Sequence, residues 1–510
     1  MNSGRPLLDT TRPAGLGTLV RGAFLSALSV CISMAALLVT SKLFTNALDR
    51  ETVGVFSLLL VASDFIIYAS GLGLAASMPK LVAEADSAGR RRIIGSALAG
   101  QTLVLLVLGA LAVLVQAAVR HPEHFMSDPA WLGVHGGLHL LPLLFIIGGL
   151  RDVILAMLAG LDRYAWRAGG IALASVAQVA LVYVTVWRLG GGLHVLVFAM
   201  AVSYGVALLL LWFGLGEAGR PVPDWAAYKK SVRFSAPLYL NQVMNFFNQR
   251  FDTVLVSAFA GVTHAAVYEM IKRLPVIVNR VMNALLVPYL PHISRLISIR
   301  DAAGAGRVLH HAVGLSAFVG YGAALFMTAV QKPIILLLFN RDYLSGTEVL
   351  GLLLVSASLA LQSGLMAQML IALGRNTAVP LVNMAAMAAT VLADIAVIPR
   401  FGMAGAAWVA VAAQGGGYLL LALCTHRAGI PVRAWNCLKP AALLLLSALP
   451  LYYGNDSLVG RLAAPALFTL LCLAFGVVTP GQMKAVARAM LPGGRGVSED
   501  ARPENGSDRL

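Results

Sequence analysis

Glu269, Lys272, Arg273 and Arg280 fall at i, i+3, i+4 and i+11, which at about 100° per residue sets all four on one helical stripe. Just upstream, Asn241, Asn245, Asn248 and Asp252 form a second stripe at i, i+4, i+7 and i+11. Both stripes lie in otherwise apolar stretches, as do Lys42, Asp64, Arg250 and Asp394. Charge in such surroundings is costly and faces a bundle interior or a wet cavity. A wall rich in Arg suits an anionic cargo, because the planar guanidinium stays protonated and holds phosphate oxygens two at a time. The substrate-binding candidates are therefore Arg273, Arg280, Lys272, Asn241, Asn245 and Asn248. Arg250 projects from the opposite side of its helix and reads as an interhelical partner. Asp252 and Glu269 could pair with Arg250, Lys272 or Arg273. Arg280 lies roughly 16 Å deeper than Glu269, near the expected midplane, with Asp64 its nearest carboxylate by depth.

The elements that position these residues are membrane helices. The chain has 510 residues, 59% hydrophobic and only 12% charged, with a mean hydropathy of +0.80. Windows of about 20 apolar residues give about fourteen spans. They run over 16–44, 53–78, 93–119, 133–150, 168–187, 193–215, 232–256, 265–287, 309–330, 349–373, 379–398, 403–424, 438–453 and 463–478. Eight of these nine charges inside the spans fall in spans one, two, seven and eight. Pro237 and Pro275, inside spans seven and eight, each remove a backbone hydrogen bond and allow a bend.

Spans one and seven correspond because the chain repeats itself. A shift of 212 positions lays Gly160, Leu161, Asp162 and Arg163 on Ala372, Leu373, Gly374 and Arg375, and Arg188, Leu189 and Gly190 on Arg400, Phe401 and Gly402. Six spans per copy is an even number, so both copies enter the membrane from the same side. The expected fold is an all-α integral membrane protein of two six-helix bundles, as parallel internal repeats facing a central cavity, plus two C-terminal helices. The expected segments are a tail 1–15, lobes 16–215 and 232–425 joined by a linker 216–231, helices thirteen and fourteen in 426–478, and a mostly disordered tail 479–510.

Lys and Arg set the orientation. With the N-terminus inside, about 26 of the 38 basic residues fall in the termini and inner loops, including Lys80, Arg90, Arg91, Arg92, Arg151, Arg163, Arg167, Lys229, Lys230 and Arg233. The net charge of +15 is thus a topology signal. Scattered over short loops without interleaved aromatics, it argues against nucleic acid. The first apolar run exceeds the core of about 7 to 15 residues of a signal peptide, and is expected to remain as a helix.

Cys31, Cys424, Cys437 and Cys472 have no paired spacing, and so indicate neither metal nor disulfides. His121, Glu123 and His124 in an outer loop, and His310 and His311 at an inner helix start, read as interfacial. No motif for nucleotide hydrolysis, zinc proteolysis, serine hydrolysis or a potassium filter occurs, so neither catalytic residue nor cofactor is expected.

With Gly54, Val55, Phe56 and Ser57 opening span two, Tyr268 five residues before Arg273 and Leu274, then Pro288 and Pro291, and Asp252 closing span seven, the chain resembles the multidrug/oligosaccharidyl-lipid/polysaccharide exporter superfamily, most of all its polysaccharide-transporter branch. The resemblance implies a flippase that carries a polyprenyl-diphosphate-linked oligosaccharide across the bacterial inner membrane by alternating access, for O-antigen or exopolysaccharide synthesis. It also implies that Arg273 matches a cavity-lining arginine of related flippases. Ala266 stands where the family pattern has Gly, and span one lacks a central Arg, which counts against a peptidoglycan precursor. A lipid II flippase or a drug/cation antiporter of the same superfamily is the alternative. A membrane glycan polymerase or ligase would need larger outer loops than 120–131 and 331–347. Expected partners are the lipid-linked oligosaccharide, membrane lipids, other glycan-assembly proteins, and H⁺ or Na⁺ as coupling ion at Asp64, Asp394, Asp252 or Glu269.

Both termini are expected in the cytoplasm, Arg90 to Arg92 inside and 120–131 outside. Impermeant-thiol labelling of single cysteines should modify position 127 in intact cells; labelling there only after permeabilisation contradicts the topology.

Overall fold

The computed structural model describes residues 16–118, 138–220, 224–285, 289–375, 377–432, 434–453, 458–479 and 481, and for some helical positions, Asn241 and Asn245 among them, the backbone alone. The loop with His121, Glu123 and His124, both tails and Pro288 lie outside these residues.

The N-terminal bundle comprises α1 (Leu16–Ala47), α2 (Arg50–Ser70), α3 (Leu74–Glu84), α4 (Ser87–Ala118), α5 (Leu141–Gly160), α6 (Tyr164–Val182) running through a π-turn (Tyr183–Arg188), and α7 (Leu193–Leu215). The C-terminal bundle comprises α8 (Trp225–Ala260), α9 (Val262–Leu285), α10 (Tyr289–Ser298), α11 (Ala302–Ala329), α12 (Gln331–Leu338), α13 (Thr347–Ala372) and α14 (Ala378–Arg427). Two further helices, α15 (Ala434–Tyr453) and α16 (Leu458–Ala474), pack on α11.

Nine described helices are long and apolar enough to cross a membrane. The long helices α8 and α9 carry the charge concentration noted above, and the 50-residue α14 is two passes joined at Gly402, whose φ of 56° and ψ of −139° break the helix. With the apolar stretches of α15 and α16, these account for the fourteen spans.

The repeat is visible in the turns. After α5, Asp162 takes a left-handed φ of 56°, and the Arg163 N–H donates to Leu158 O at 2.9 Å. After α13, Gly374 takes φ 73°, and the Arg375 N–H donates to Leu370 O at 2.9 Å. These are the same helix-ending turn 212 residues apart. Glycine suits it, and Asp is among the few side chains that tolerate it. Helix starts are equally local: the Thr52 N–H donates to Asp49 at 2.9 Å, and the Ala227 N–H to Asp224 at 2.9 Å. Asp224, outside the spans, also pairs with Arg92 of α4. The Ala227 N–H first, and Arg92 second, hold its carboxyl below the ordinary range. Its contribution is therefore present at neutral pH and lost as pH falls.

Two expected boundaries differ. Span two does not run to Met78: Leu72 and Gly73, with φ of 47° and 78°, end α2 and start the separate helix α3. Span four does not stop at Leu150, and Arg151 is not a loop residue. It sits in mid α5, where it binds Asp152 at 2.7 Å and stacks on Tyr204 at 3.9 Å. A hydropathy window stops at a charge pair that the helix itself accommodates.

The two ends of the molecule are packed differently. At the end carrying the α1–α2 turn, one core joins both bundles, with Phe44, Val53 and Phe56 packed with Tyr268, Phe339, Leu350 and Met403. At the α2–α3 end the core divides, one part holding Met78, Ile94 and Met157, the other Ile293, Leu309 and Met369. Among the described residues α8 crosses between the bundles there, Tyr228 reaching the N-terminal part and Ser235 Oγ meeting Ser77 Oγ at 2.5 Å.

At the shared core α2 crosses α9 so closely that a Cβ on Gly54 would meet the Val262 carbonyl, whereas Gly364 on α13 has open space. Gly54→Ala should cost about 1–3 kcal/mol by overpacking and lower Tm in detergent, while Gly364→Ala should leave Tm unchanged or raise it; equal behaviour contradicts the close crossing.

Candidate functional site

The charged residues form layers along the bundle interface. The first layer, at the α1–α2 end, joins the bundles through oxygen atoms. Lys42 Nζ donates to the Leu336 and Phe339 carbonyls at 3.0 and 2.7 Å, closing the C-terminal end of α12. Asn340 Nδ2 donates to Thr45 O at 2.7 Å, and Arg50 Nη1 to Asp342 O at 3.2 Å. Arg273 belongs to this layer: it donates to Ser41 Oγ and lies 5.2 Å from the Phe44 ring centre.

The second layer is a clamp. Arg250 Nη1 donates to Glu269 Oε1 at 2.6 Å, and Nη2 to Asp64 Oδ2 at 3.1 Å. Glu269, only 8% exposed, also accepts from Thr253 Oγ1 at 3.1 Å. One cation from α8 thereby holds a carboxylate of its own bundle and one from the other. The third layer is Lys272 Nζ on both oxygens of Asp252 at 2.8 and 2.9 Å and on Gln249 O at 2.8 Å, with the Tyr268 hydroxyl donating to Asp252 Oδ2 at 2.8 Å.

Below these layers opens a cavity of about 450 Å³, walled by Asp252, Lys272, Asn279, Arg280, Asp394 and Gln414 among others. A second, of about 350 Å³, shares Asn248, Thr390, Ala413 and Gln414 with it and adds Ser363 and Asn383. The first is walled by α8, α9, α13 and α14 and the second by α8, α13 and α14, so both lie within the C-terminal bundle.

The expected site residues therefore separate. A lone charge at the centre of a span costs about 2.5–3.5 kcal/mol on insertion scales, and most of the nine charges inside the spans are partnered. Asp64, Arg250, Glu269, Asp252 and Lys272 form ion pairs, and Lys42 and Arg273 hydrogen-bond across the bundles. Arg280 and Asp394 remain. Neither makes an ion pair with another described residue, and both face the larger cavity. Asp394 is 2% exposed, with Oδ1 lacking a hydrogen-bond partner among the described residues. Asn248 lines both cavities; the side chains of Asn241 and Asn245 lie outside the described residues.

Two expectations of depth need correction. Arg280 is about 27 Å along α9 from Val262, toward the α2–α3 end rather than at midplane. Asp64 pairs with Arg250, which approaches from the neighbouring helix, instead of Arg280. Sequence reasoning also missed Arg151, Asp152 and Tyr204 in the N-terminal bundle, and Thr390, Gln414 and Asn383 on the cavity wall. The adjacent opposite charges at 151 and 152 were a readable signal. Single amides and hydroxyls in apolar helices carried none.

A family model described as polysaccharide biosynthesis protein matches residues 19–297. The chain belongs to this family. It is a member of the multidrug/oligosaccharidyl-lipid/polysaccharide exporter superfamily, whose solved structures share its fold. "Lipid II flippase MurJ, inward closed conformation" has a TM-score of 0.69 at 14% identity, covering 91% of this chain and 100% of that one. An inward-facing multidrug-resistance MATE family transporter gives 0.63 at 14% identity, with 83% and 99% covered. An outward-facing MATE structure gives 0.54 at 12% identity, with 84% and 96% covered. Comparison with curated proteins returns no match. The fold is one that membrane transporters and a lipid II flippase share.

Because Lys272 and Asp252 satisfy one another, removing either leaves a charge in the membrane. Lys272→Met and Asp252→Asn should each lower Tm, and the double variant should recover part of the loss, with a coupling of about 1–3 kcal/mol; additive losses contradict the pair.

Proposed function

We propose that the protein is a flippase moving a polyprenyl-diphosphate-linked oligosaccharide from the cytoplasmic to the periplasmic leaflet of the bacterial inner membrane, for O-antigen or exopolysaccharide assembly. The observation that carries this reading is Arg280 on a cavity wall, without an ion pair to another described residue, in a chain of the polysaccharide biosynthesis family. A diphosphate supplies the oxygens such a guanidinium lacks. Lys272, held by Asp252, adds positive field rather than contact, and Asn248 and Gln414 offer amides to sugar hydroxyls.

In this reading residues 16–215 and 232–425 are the rocking lobes, both termini are cytoplasmic, and the α1–α2 end faces the periplasm. The shared core there is the closed gate and the divided end the entry side. Arg273, held by Ser41 and Phe44 in the closed gate, comes free to meet the diphosphate when the lobes part. Asp394, with an open oxygen on the same cavity, takes the coupling H⁺ or Na⁺. A drug antiporter is disfavoured by an arginine without an ion pair among the described residues, since a cationic drug needs carboxylates and aromatics instead.

At matched membrane protein levels in a deletion strain, Arg280→Ala should abolish surface glycan, and Arg280→Lys should impair it despite keeping the charge. Full output from the Arg273→Ala, Arg280→Ala double variant contradicts the cargo role.

A further inference from the structure

Arg250 is a single cation holding carboxylates from two bodies that must separate, and its bonds are unequal. Glu269 sits on α9, which follows α8 directly and packs beside it; it accepts from Arg250 at 2.6 Å and is tied to Thr253 of α8 at 3.1 Å. Asp64 sits on α2 of the other bundle and accepts at 3.1 Å. When the α1–α2 end opens, Arg250 stays with Glu269, and Asp64 loses its cation.

Among the described residues, the surroundings of Asp64 offer no substitute. From α2 itself comes Tyr68; from α5, Arg151 and Asp152, already paired with each other; from α7, Tyr204, stacked under Arg151; from α8, Asp252 with Lys272; from α9, Glu269 and Arg273, the latter engaged by Ser41. Of the other helices touching α2, α1 brings Lys42, spent on the carbonyls of α12, and the exposed thiol of Cys31, while α4 carries its charges only at its start. Asp64 lies about 21 Å along α2 from Arg50, a depth at which an uncompensated carboxylate takes up a proton rather than remain ionised.

We propose that the Asp64–Arg250–Glu269 clamp is a proton-linked lock. Opening of the α1–α2 end transfers Arg250 wholly to Glu269, and a proton from the water entering there adds to an Asp64 carboxylate oxygen. Closing returns Arg250 to Asp64, and that proton leaves. The open state binds one proton more than the closed state, so acid at the α1–α2 face favours opening. This deepens the flippase reading, on which it rests for a physiological role, by naming a proton as one driving ligand and the residue that receives it.

The test uses the full chain in lipid nanodiscs, its four native cysteines replaced, spin-labelled at Glu51→Cys and Arg341→Cys. Both positions are exposed at the α1–α2 end, on opposite bundles. Pulsed-EPR distances are read at intervals from about pH 5 to about pH 8. The ratio of long to short distances should rise by about tenfold per unit fall in pH across the transition, the slope for one proton. Asp64→Asn should populate the long distance at every pH with no slope, and Glu269→Gln should keep the slope. An unvarying wild-type ratio overturns the lock without recourse to any variant, as does an unchanged slope in Asp64→Asn. Loss of slope in Glu269→Gln with retention in Asp64→Asn also overturns it, by placing the proton on Glu269. No cargo is present, so the outcome is independent of surface-glycan complementation. Acid-driven opening in a chain that carries no glycan would remove the flippase reading and leave the lock, and glycan transport without acid-driven opening would do the reverse.

Discussion

A cation inside a bilayer must have oxygen around it, and the closed end of this molecule is built from that requirement. Arg250 takes two carboxylates, Lys272 takes Asp252, Lys42 takes the carbonyls at the end of α12, and Arg273 takes a hydroxyl and an aromatic face. Most of these contacts run between the two bundles, so the same atoms that make charge tolerable also hold the bundles together. Separation therefore requires replacement partners: water, a proton or an anionic cargo. A seal of apolar contacts alone would impose no such condition.

Packing places that seal at one end. A single core spans both bundles near the α1–α2 turn, where Gly54 lets two helices cross at backbone distance, while the opposite end has two cores bridged by α8. A body joined at one end and divided at the other has its freedom of motion where the cores are separate. The polar cavity lies below the seal within the C-terminal bundle, and among the described residues Arg280 and Asp394 on its wall make no ion pair such as the layers above hold.

Helix number, the two-bundle plan and the 212-residue offset were legible in the sequence because apolar length and turn residues encode them locally. Asp162 and Gly374 take the same left-handed conformation for a reason each residue carries in itself. Helical phase put Glu269, Lys272, Arg273 and Arg280 on one stripe, yet the first three serve three different layers and Arg280 a cavity wall. A stripe 16 Å long meets different neighbours along its length, and only the crossing of α2 and α1 over α9 decides that Arg273 meets Ser41 while Arg280 meets a cavity. Arg151 was misplaced for a related reason: its partner lies one residue away, and its stacking ring, Tyr204, on another helix. Single-residue hydropathy contains neither.

The central claim is that the α1–α2 end must open for the protein to work. Arg50 and Asp342 lie exposed on opposite bundles at that end, joined by one hydrogen bond. In cells producing a chain with Arg50→Cys and Asp342→Cys and no other cysteine, a short bismaleimide should join the two positions, and new surface glycan should cease in proportion to the joined fraction. Each single-cysteine chain should be unaffected by the reagent. Undiminished glycan from fully joined protein would contradict the account.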